Sequence, residues 1–254
     1  MTETYSIILA VLAAGAAGLV GAFALMKRTI LAGDVMSHVA IPGLGLAVIW
    51  KINPLIGGAL TLFIGALIIS QLERRSSISS EAAIGVIFAS SVALGALLIN
   101  SKEELIDALF GGFGSLSQGE FIFGLISSVF IVATLWTLRN KLIISFFSGE
   151  LASTTGISIG WLNFWFLLIF SLTILSGLRF LGALLAGALI IVPASAARQL
   201  THRLGSFLIC SISLSVLSMI TGLLISQRYN LQLGPMVVVV ASAIFALSLF
   251  KTKI

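Results

Sequence analysis

Charge is what this sequence has least of. Only 9% of its 254 residues are charged, whereas a soluble domain carries about 25%. Fourteen basic and nine acidic side chains cannot cover a water-soluble globule of this size, so that class is excluded. Disorder is excluded too, because it requires low hydrophobicity and 59% of these residues are hydrophobic. Cysteine is nearly absent. Cys210 stands alone in an apolar run, so neither an intrachain disulfide nor a thiolate metal cage can form. No G-x-x-x-x-G-K-[ST] phosphate loop occurs, so any ATP-driven work needs an ATPase on another polypeptide. Basic residues never cluster beyond two neighbours, which argues against a nucleic-acid patch. A cleavable leader is not expected either. Met1–Tyr5 is acidic, and no small-residue cleavage site follows the first apolar run.

What is present is a succession of apolar runs. A spanning helix needs about 20 apolar residues. Nine candidate spans appear at 6–26, 30–50, 54–72, 82–99, 121–138, 161–178, 181–197, 206–226 and 235–250. The expected fold is all-α: a polytopic membrane helix bundle with eight or nine transmembrane helices. Eight would result if one span were re-entrant, and the short 178–182 connection around Arg179 is the suspect. No linker or low-complexity stretch divides the chain, so residues 1–254 read as one transmembrane domain.

Orientation follows from the basic residues, which favour cytoplasmic loops. With the first loop inside, Lys27, Arg28, Arg74, Arg75, Arg139, Lys141, Arg198, Arg203, Lys251 and Lys253 are cytoplasmic. Lys51, Lys102, Arg179 and Arg228 are then outside, a bias of ten to four. The N-terminus is therefore expected outside and the C-terminus in the cytoplasm. Two longer polar stretches remain, 100–120 outside and 139–160 inside. Within the second, 148–156 reads as a short helix along the membrane face or as an ordinary solvated loop. As a helix it would carry Glu150 in its first turn, where the dipole favours an acid. Gly156 would end it.

The second span contains Gly33-Asp34-Val35-Met36-Ser37-His38-Val39-Ala40-Ile41-Pro42-Gly43. Asp34 and His38 are four residues apart, so a helix stacks them on one face. A carboxylate and an imidazole so placed can share a divalent zinc, manganese or iron ion. A charged group at mid-bilayer costs about 3 kcal/mol or more, so such residues usually mark a site. The structural alternative is that Asp34 caps the helix and His38 is a satisfied core histidine. Ile41, Pro42 and Gly43 follow one turn beyond. Proline there bends the helix, either as a gate over the site or as a packing kink. Ala14, Gly18 and Ala22 recur at four-residue spacing, as close helix contacts require. His202 reads as a solvated loop residue, and Trp50, Trp136, Trp161 and Trp165 as an interfacial belt.

The 33–43 segment resembles the G-D-x-[ML]-[SA]-H-[AS]-x-x-P-G signature of the ABC-3 family, the permeases of bacterial zinc, manganese and iron ABC importers. Residues 81–88 (EAAIGVIF), Leu109-Phe110-Gly111 and the 181–198 block ending Val192-Pro193-Ala194-Ser195-Ala196-Ala197-Arg198 resemble further family segments. The chain departs from many relatives at Gly112 and at Gly149-Glu150. The resemblance implies a multi-pass bacterial inner-membrane protein that is no enzyme itself. It implies a homodimer surrounded by lipid, two cytoplasmic ATPase subunits and an extracytoplasmic metal-binding protein. It makes Asp34 and His38 metal-coordinating. Gly149, Glu150, Leu151, Ala152 and Gly156 then belong to the helix that seats in the ATPase. No permanent cofactor is implied; the zinc, manganese or iron ion is cargo.

The leading expectation is therefore an importer permease for divalent metal, working by alternating access. One alternative is a self-sufficient secondary transporter or channel with Asp34 as an ion-linked acid. Another is a permease for a metal chelate, which needs a wide cavity and no acid or imidazole in its path.

Overall fold

The computed structural model describes residues 2–27, 29, 31–75, 80–99 and 118–250. Their regular structure is helical throughout, with no strand among the described residues. In chain order the helices are α1 Thr2–Lys27, α2 Leu31–Trp50, α3 Pro54–Arg75, α4 Ser80–Leu98, α5 Gln118–Phe147, α6 Gly149–Thr154, α7 Ile159–Leu200, α8 Leu204–Tyr229 and α9 Leu233–Leu249. Five stretches are long and apolar enough to cross a membrane: Tyr5–Lys27, Pro54–Leu72, Gln118–Phe147, Ile159–Leu178 and Leu204–Tyr229. Val35–Trp50, Gly85–Leu98, Ala186–Leu200 and Leu233–Leu249 are shorter apolar helices. Each of the nine expected spans has its helix. Helices are forced here because the bilayer core offers no water to satisfy a bare backbone group.

Two boundaries differ from the sequence reading. The fifth span, expected to end at Leu138, runs on to Phe147. The charges at Arg139 and Lys141 suggest a helix end, yet long basic side chains can lie along apolar surface without breaking the backbone ladder. Arg139 does so, its guanidinium 4.4 Å from the Trp136 ring. The second difference is the 178–182 connection. There is no loop. Gly182 alone leaves the helical region, at φ 72 and ψ 173. That backbone region is essentially restricted to glycine. A Cβ added to Gly177 would lie only 3.5 Å from that of Ala186. In an unbroken helix nine residues span about 13 Å. The chain therefore turns back on itself at Gly182, and one residue suffices for the reversal.

The core is built around α1, which packs against α5, α7 and α8. Leu19, Val20, Ala22, Phe23 and Ala24 are all buried. Lipid is as apolar as leucine, so close fit and interhelical hydrogen bonds must hold such helices together. Both occur on the expected small-residue face. Ser211 Oγ donates to the Gly18 carbonyl at 2.6 Å, and Ser215 Oγ to the Ala14 carbonyl at 2.7 Å. A Cβ at Gly18 would lie 2.7 Å from the Ser211 carbonyl oxygen, so only glycine permits the approach. The outward faces are apolar: Val86, Leu97, Ile126, Leu224 and Val239 are exposed, as lipid-facing residues must be.

The two ends of the bundle separate cleanly. At one end the Lys27 ammonium lies 5.5 Å from the Phe166 ring, and Phe146 packs on that ring at 5.7 Å. Helix α6 packs against α5 and α7. At the opposite end Tyr5 and Phe121 stack at 4.8 Å. The end of α1 and the 148–158 connection thus share one face of the bundle, the arrangement that the charge count requires of two loops on one side.

Candidate functional site

His38 sits in the middle of α2, which is enclosed by α3, α4 and α7. The side chain is 8% exposed. Its neighbours Met36, Ser37, Val39 and Ala40 are buried. The Phe88 ring of α4 meets the imidazole edge-on, centroids 4.8 Å apart. Ser37 Oγ lies 3.5 Å from Nδ1, at the outer limit of a hydrogen bond. Asp34 lies in α2 one turn before His38, so the helix that stacks them is present; the Asp34 side chain is outside the described residues. Among the described residues no cluster of three or more His, Cys, Asp or Glu side chains could hold a metal.

Pro42 lies inside α2 one turn beyond His38, and Asp34 stands one turn before it. Oxygen and imidazole nitrogen suit several first-row divalent ions. Sequence spacing alone does not reveal Ser37 and Phe88 as the neighbours of His38, since both are ordinary membrane-helix residues.

Ile41, Pro42 and Gly43 are buried at a joint of three helices. Ile41 Cγ2 would be 2.6 Å from a Cβ at Gly95 of α4. A Cβ at Gly43 would overlap the Gly57 carbonyl and Thr61 Oγ1 of α3, and one at Gly57 would overlap the Gly43 carbonyl. The backbones of α2 and α3 touch there. Gly43→Val is expected to force them apart. Overpacking of this kind costs about 1–3 kcal/mol or more, so purified protein should lose its thermal transition by several degrees or fail to extract as a single species. Unchanged thermal stability would show that the joint has slack.

Helix α6 is six residues long and locally encoded at both ends. Ser148 is its N-cap, its side chain accepting from the Leu151 N–H at 3.2 Å. Glu150 lies in the first turn. At the other end Ile157 N–H donates to the Ala152 carbonyl and Gly156 N–H to the Ser153 carbonyl, at 2.9 and 3.2 Å. Gly156 has φ +73. This is the six-to-one, five-to-two pattern of a Schellman ending with glycine in the left-handed region. Ala152 is fully buried and pins the helix to the bundle, whereas Leu151 is 56% exposed and Phe147, just before the cap, 73%. Of the expected docking residues, Glu150 and Leu151 face outward and Ala152 faces in. Phe147 was missed by sequence reading because it ends an apolar run. The Ser148 cap was legible as a serine ahead of an acidic first turn. The 109–111 turn and Gly112 lie outside the described residues. His202 is exposed in the turn before α8, as expected.

Residues 3–252 match the ABC 3 transport family. The chain is 32% identical over 237 residues to the high-affinity zinc uptake system membrane protein ZnuB of Haemophilus influenzae, covering 92% of this chain and 91% of that one. It is 29% identical over 240 residues to the manganese transport system membrane protein MntC of Listeria monocytogenes, covering 93% and 86%. Among solved structures, PsaBC from Streptococcus pneumoniae in complex with Fab superimposes with a TM-score of 0.87 at 26% identity, over 98% of this chain and 91% of that one. An inward-facing metal-chelate type ABC transporter shares the fold with a TM-score of 0.76 at 17% identity, over 97% and 85%.

Proposed function

Because the chain belongs to the ABC 3 transport family, we propose that this multi-pass membrane permease imports a divalent transition-metal ion using ATP hydrolysed by a separate subunit. The observation that carries the reading is His38: an imidazole buried mid-helix in an apolar bundle, one turn from Asp34. A bilayer helix has no structural need for that combination. Zinc and manganese are the favoured cargoes, since they are the ions named for ZnuB and MntC.

In this mechanism two copies of the chain enclose the path. A loaded extracytoplasmic protein delivers the ion to Asp34 and His38, with the N-terminus outside and the C-terminus in the cytoplasm. Ile41, Pro42 and Gly43 form the gate beyond the site. Because these residues lock α2 to α3 and α4, the gate opens by movement of packed helices rather than of one loop. ATP-driven closure of the partner ATPases reaches the site through α6, whose exposed Glu150 and Leu151 seat in the ATPase while Ala152 anchors it to α5 and α7. A partner shifts a conformational equilibrium only through contacts that differ between the states, and α6 is a compact, capped element suited to make them.

The test is reconstitution. Proteoliposomes carrying this chain with its ATPase and binding protein should take up radioactive zinc or manganese only when ATP is supplied on the ATPase side. Uptake by the chain without any ATPase would instead identify a secondary transporter. Orientation is checked separately in intact cells. A Ser153→Cys variant in a Cys210→Ser background should resist an impermeant thiol reagent and label fully after permeabilisation. Prompt labelling from outside would invert the topology and exclude α6 as a cytoplasmic contact.

A further inference from the structure

Between α3, α5 and α7 the bundle leaves an open cavity of about 310 Å³. Phe63, Phe130, Trp165, Leu172 and Leu175 line it, and its hydroxyl-bearing lining residue, Ser171, donates to the Leu167 carbonyl of its own helix at 2.8 Å. The slot is therefore almost wholly apolar, the Trp165 indole and the already engaged Ser171 hydroxyl being its polar-bearing lining groups. Along α7 it runs from Leu175 to Trp165, ten residues, which is about 15 Å of helix. That is half the roughly 30 Å hydrocarbon thickness, the depth of one leaflet.

A basic residue stands toward one end of the slot. Helices α5 and α7 are antiparallel: Ser127 Oγ meets Ser176 Oγ at 3.1 Å, and Phe146 packs on Phe166 at 5.7 Å. Trp165 adjoins Phe166 and so lies at the Phe146 end of this pairing, the end toward which Lys141 of α5 stands. Lys141 follows the lining residue Phe130 by eleven residues, three turns and about 20°, so both lie on the same face of α5. Lys141 is exposed. Arg139 beside it is committed to the Trp136 ring. Trp161 stacks on Trp165 at 5.4 Å, as an interfacial aromatic pair would. An apolar slot one leaflet deep thus ends at a tryptophan pair, with the exposed Lys141 on the Phe130 face of α5 toward the same end.

We propose that this slot is a binding site for an anionic phospholipid, with one acyl chain against Phe63, Phe130 and Leu172 and the headgroup phosphate at Lys141. The site is distinct from the path at His38 and lies toward the end of the bundle that carries α6. A basic residue near the surface adds attraction for anionic lipid, and the effect of one lysine is expected to be about fivefold in apparent affinity.

The experiment uses the full chain with Trp50, Trp136 and Trp161 replaced by Phe, leaving Trp165 as reporter. It is reconstituted in zwitterionic bilayers and titrated with phospholipid brominated on its acyl chains. Brominated phosphatidylglycerol should quench Trp165 at about fivefold lower mole fraction than brominated phosphatidylcholine. Lys141→Glu should abolish the difference, and Lys141→Arg should retain it; position 141 is exposed, so folding is not at stake. Equal quenching by the two lipids would mean that bulk bilayer merely wets the slot, and would overturn the proposal. Quenching by neither would mean that protein covers it, a second copy of this chain included, and would overturn it equally. A preference that survives Lys141→Glu would remove Lys141 as the headgroup contact and sink the site as proposed.

Discussion

Metal uptake is expected to fall to background, at least 100-fold, when Asp34→Asn or His38→Gln is introduced. Losing even an outer-shell partner of a metal ligand typically costs 10–100-fold in affinity or activity. A transit site with two side-chain ligands on one helix has less redundancy than a closed structural site. Asparagine and glutamine are chosen because they keep a polar group and much of the volume while removing the carboxylate charge or the imidazole nitrogen. His38 is buried against Phe88, so truncation to alanine would add a cavity penalty of about 2–5 kcal/mol and confuse folding with transport. Two readouts separate the cases. Monodisperse extraction and basal ATP hydrolysis by the assembled complex should be retained, while uptake at limiting zinc or manganese is lost. Wild-type uptake by either variant at limiting metal would remove that residue from the path. Loss of both assembly and uptake would point to the structural role of a satisfied core histidine.

The second large effect is expected at α6. Leu151→Asp should abolish co-purification of the ATPase, and Glu150→Lys should weaken it less. Leu151 projects from a short, doubly capped helix and is exposed in the isolated chain. An apolar side chain held out on a rigid support fits the description of an interface anchor, and losing such an anchor commonly costs 2–4 kcal/mol, roughly 30- to 1,000-fold in affinity. Aspartate there also buries an unpaired charge. Glu150 is at the rim, where reversing a charge changes encounter and salt dependence more than residence. Ala152 is the wrong residue to test, because it is fully buried against the bundle and any larger side chain would displace the helix itself. The measurement is ATPase stoichiometry in the purified complex and metal-stimulated hydrolysis. If both variants retain full stoichiometry and coupling, the interface is elsewhere; His202 and Arg203, exposed in the turn before α8, would be the next candidates.

Much of the molecule was readable from the sequence, and for a common reason. Hydropathy located all nine apolar segments because a chain in lipid must satisfy its backbone within each segment. The α6 ends were readable because a cap and a Schellman turn involve atoms no more than five residues apart: Ser148 to Leu151, Ile157 to Ala152. The stacking of Asp34 over His38 needs only the pitch of a helix.

What only the tertiary structure decided involves distance between helices and rotation about their axes. These helices are apolar on nearly every face, so no polar stripe marks which side turns inward. The sequence did not say that Ser211 and Ser215 reach the carbonyls of Gly18 and Ala14, almost two hundred residues away. It did not say that Gly43 would meet Gly57, or that Phe88 would cap His38. A turn at 178–182 was legible, but that one glycine at positive φ makes it was not, because nothing in its neighbours distinguishes a packing glycine from one in that conformation. The run of α5 past Arg139 was hidden because whether a basic residue ends a helix or lies along it depends on a neighbour such as Trp136. Local hydrogen bonding wrote the segments; close approach between apolar surfaces chose how they meet.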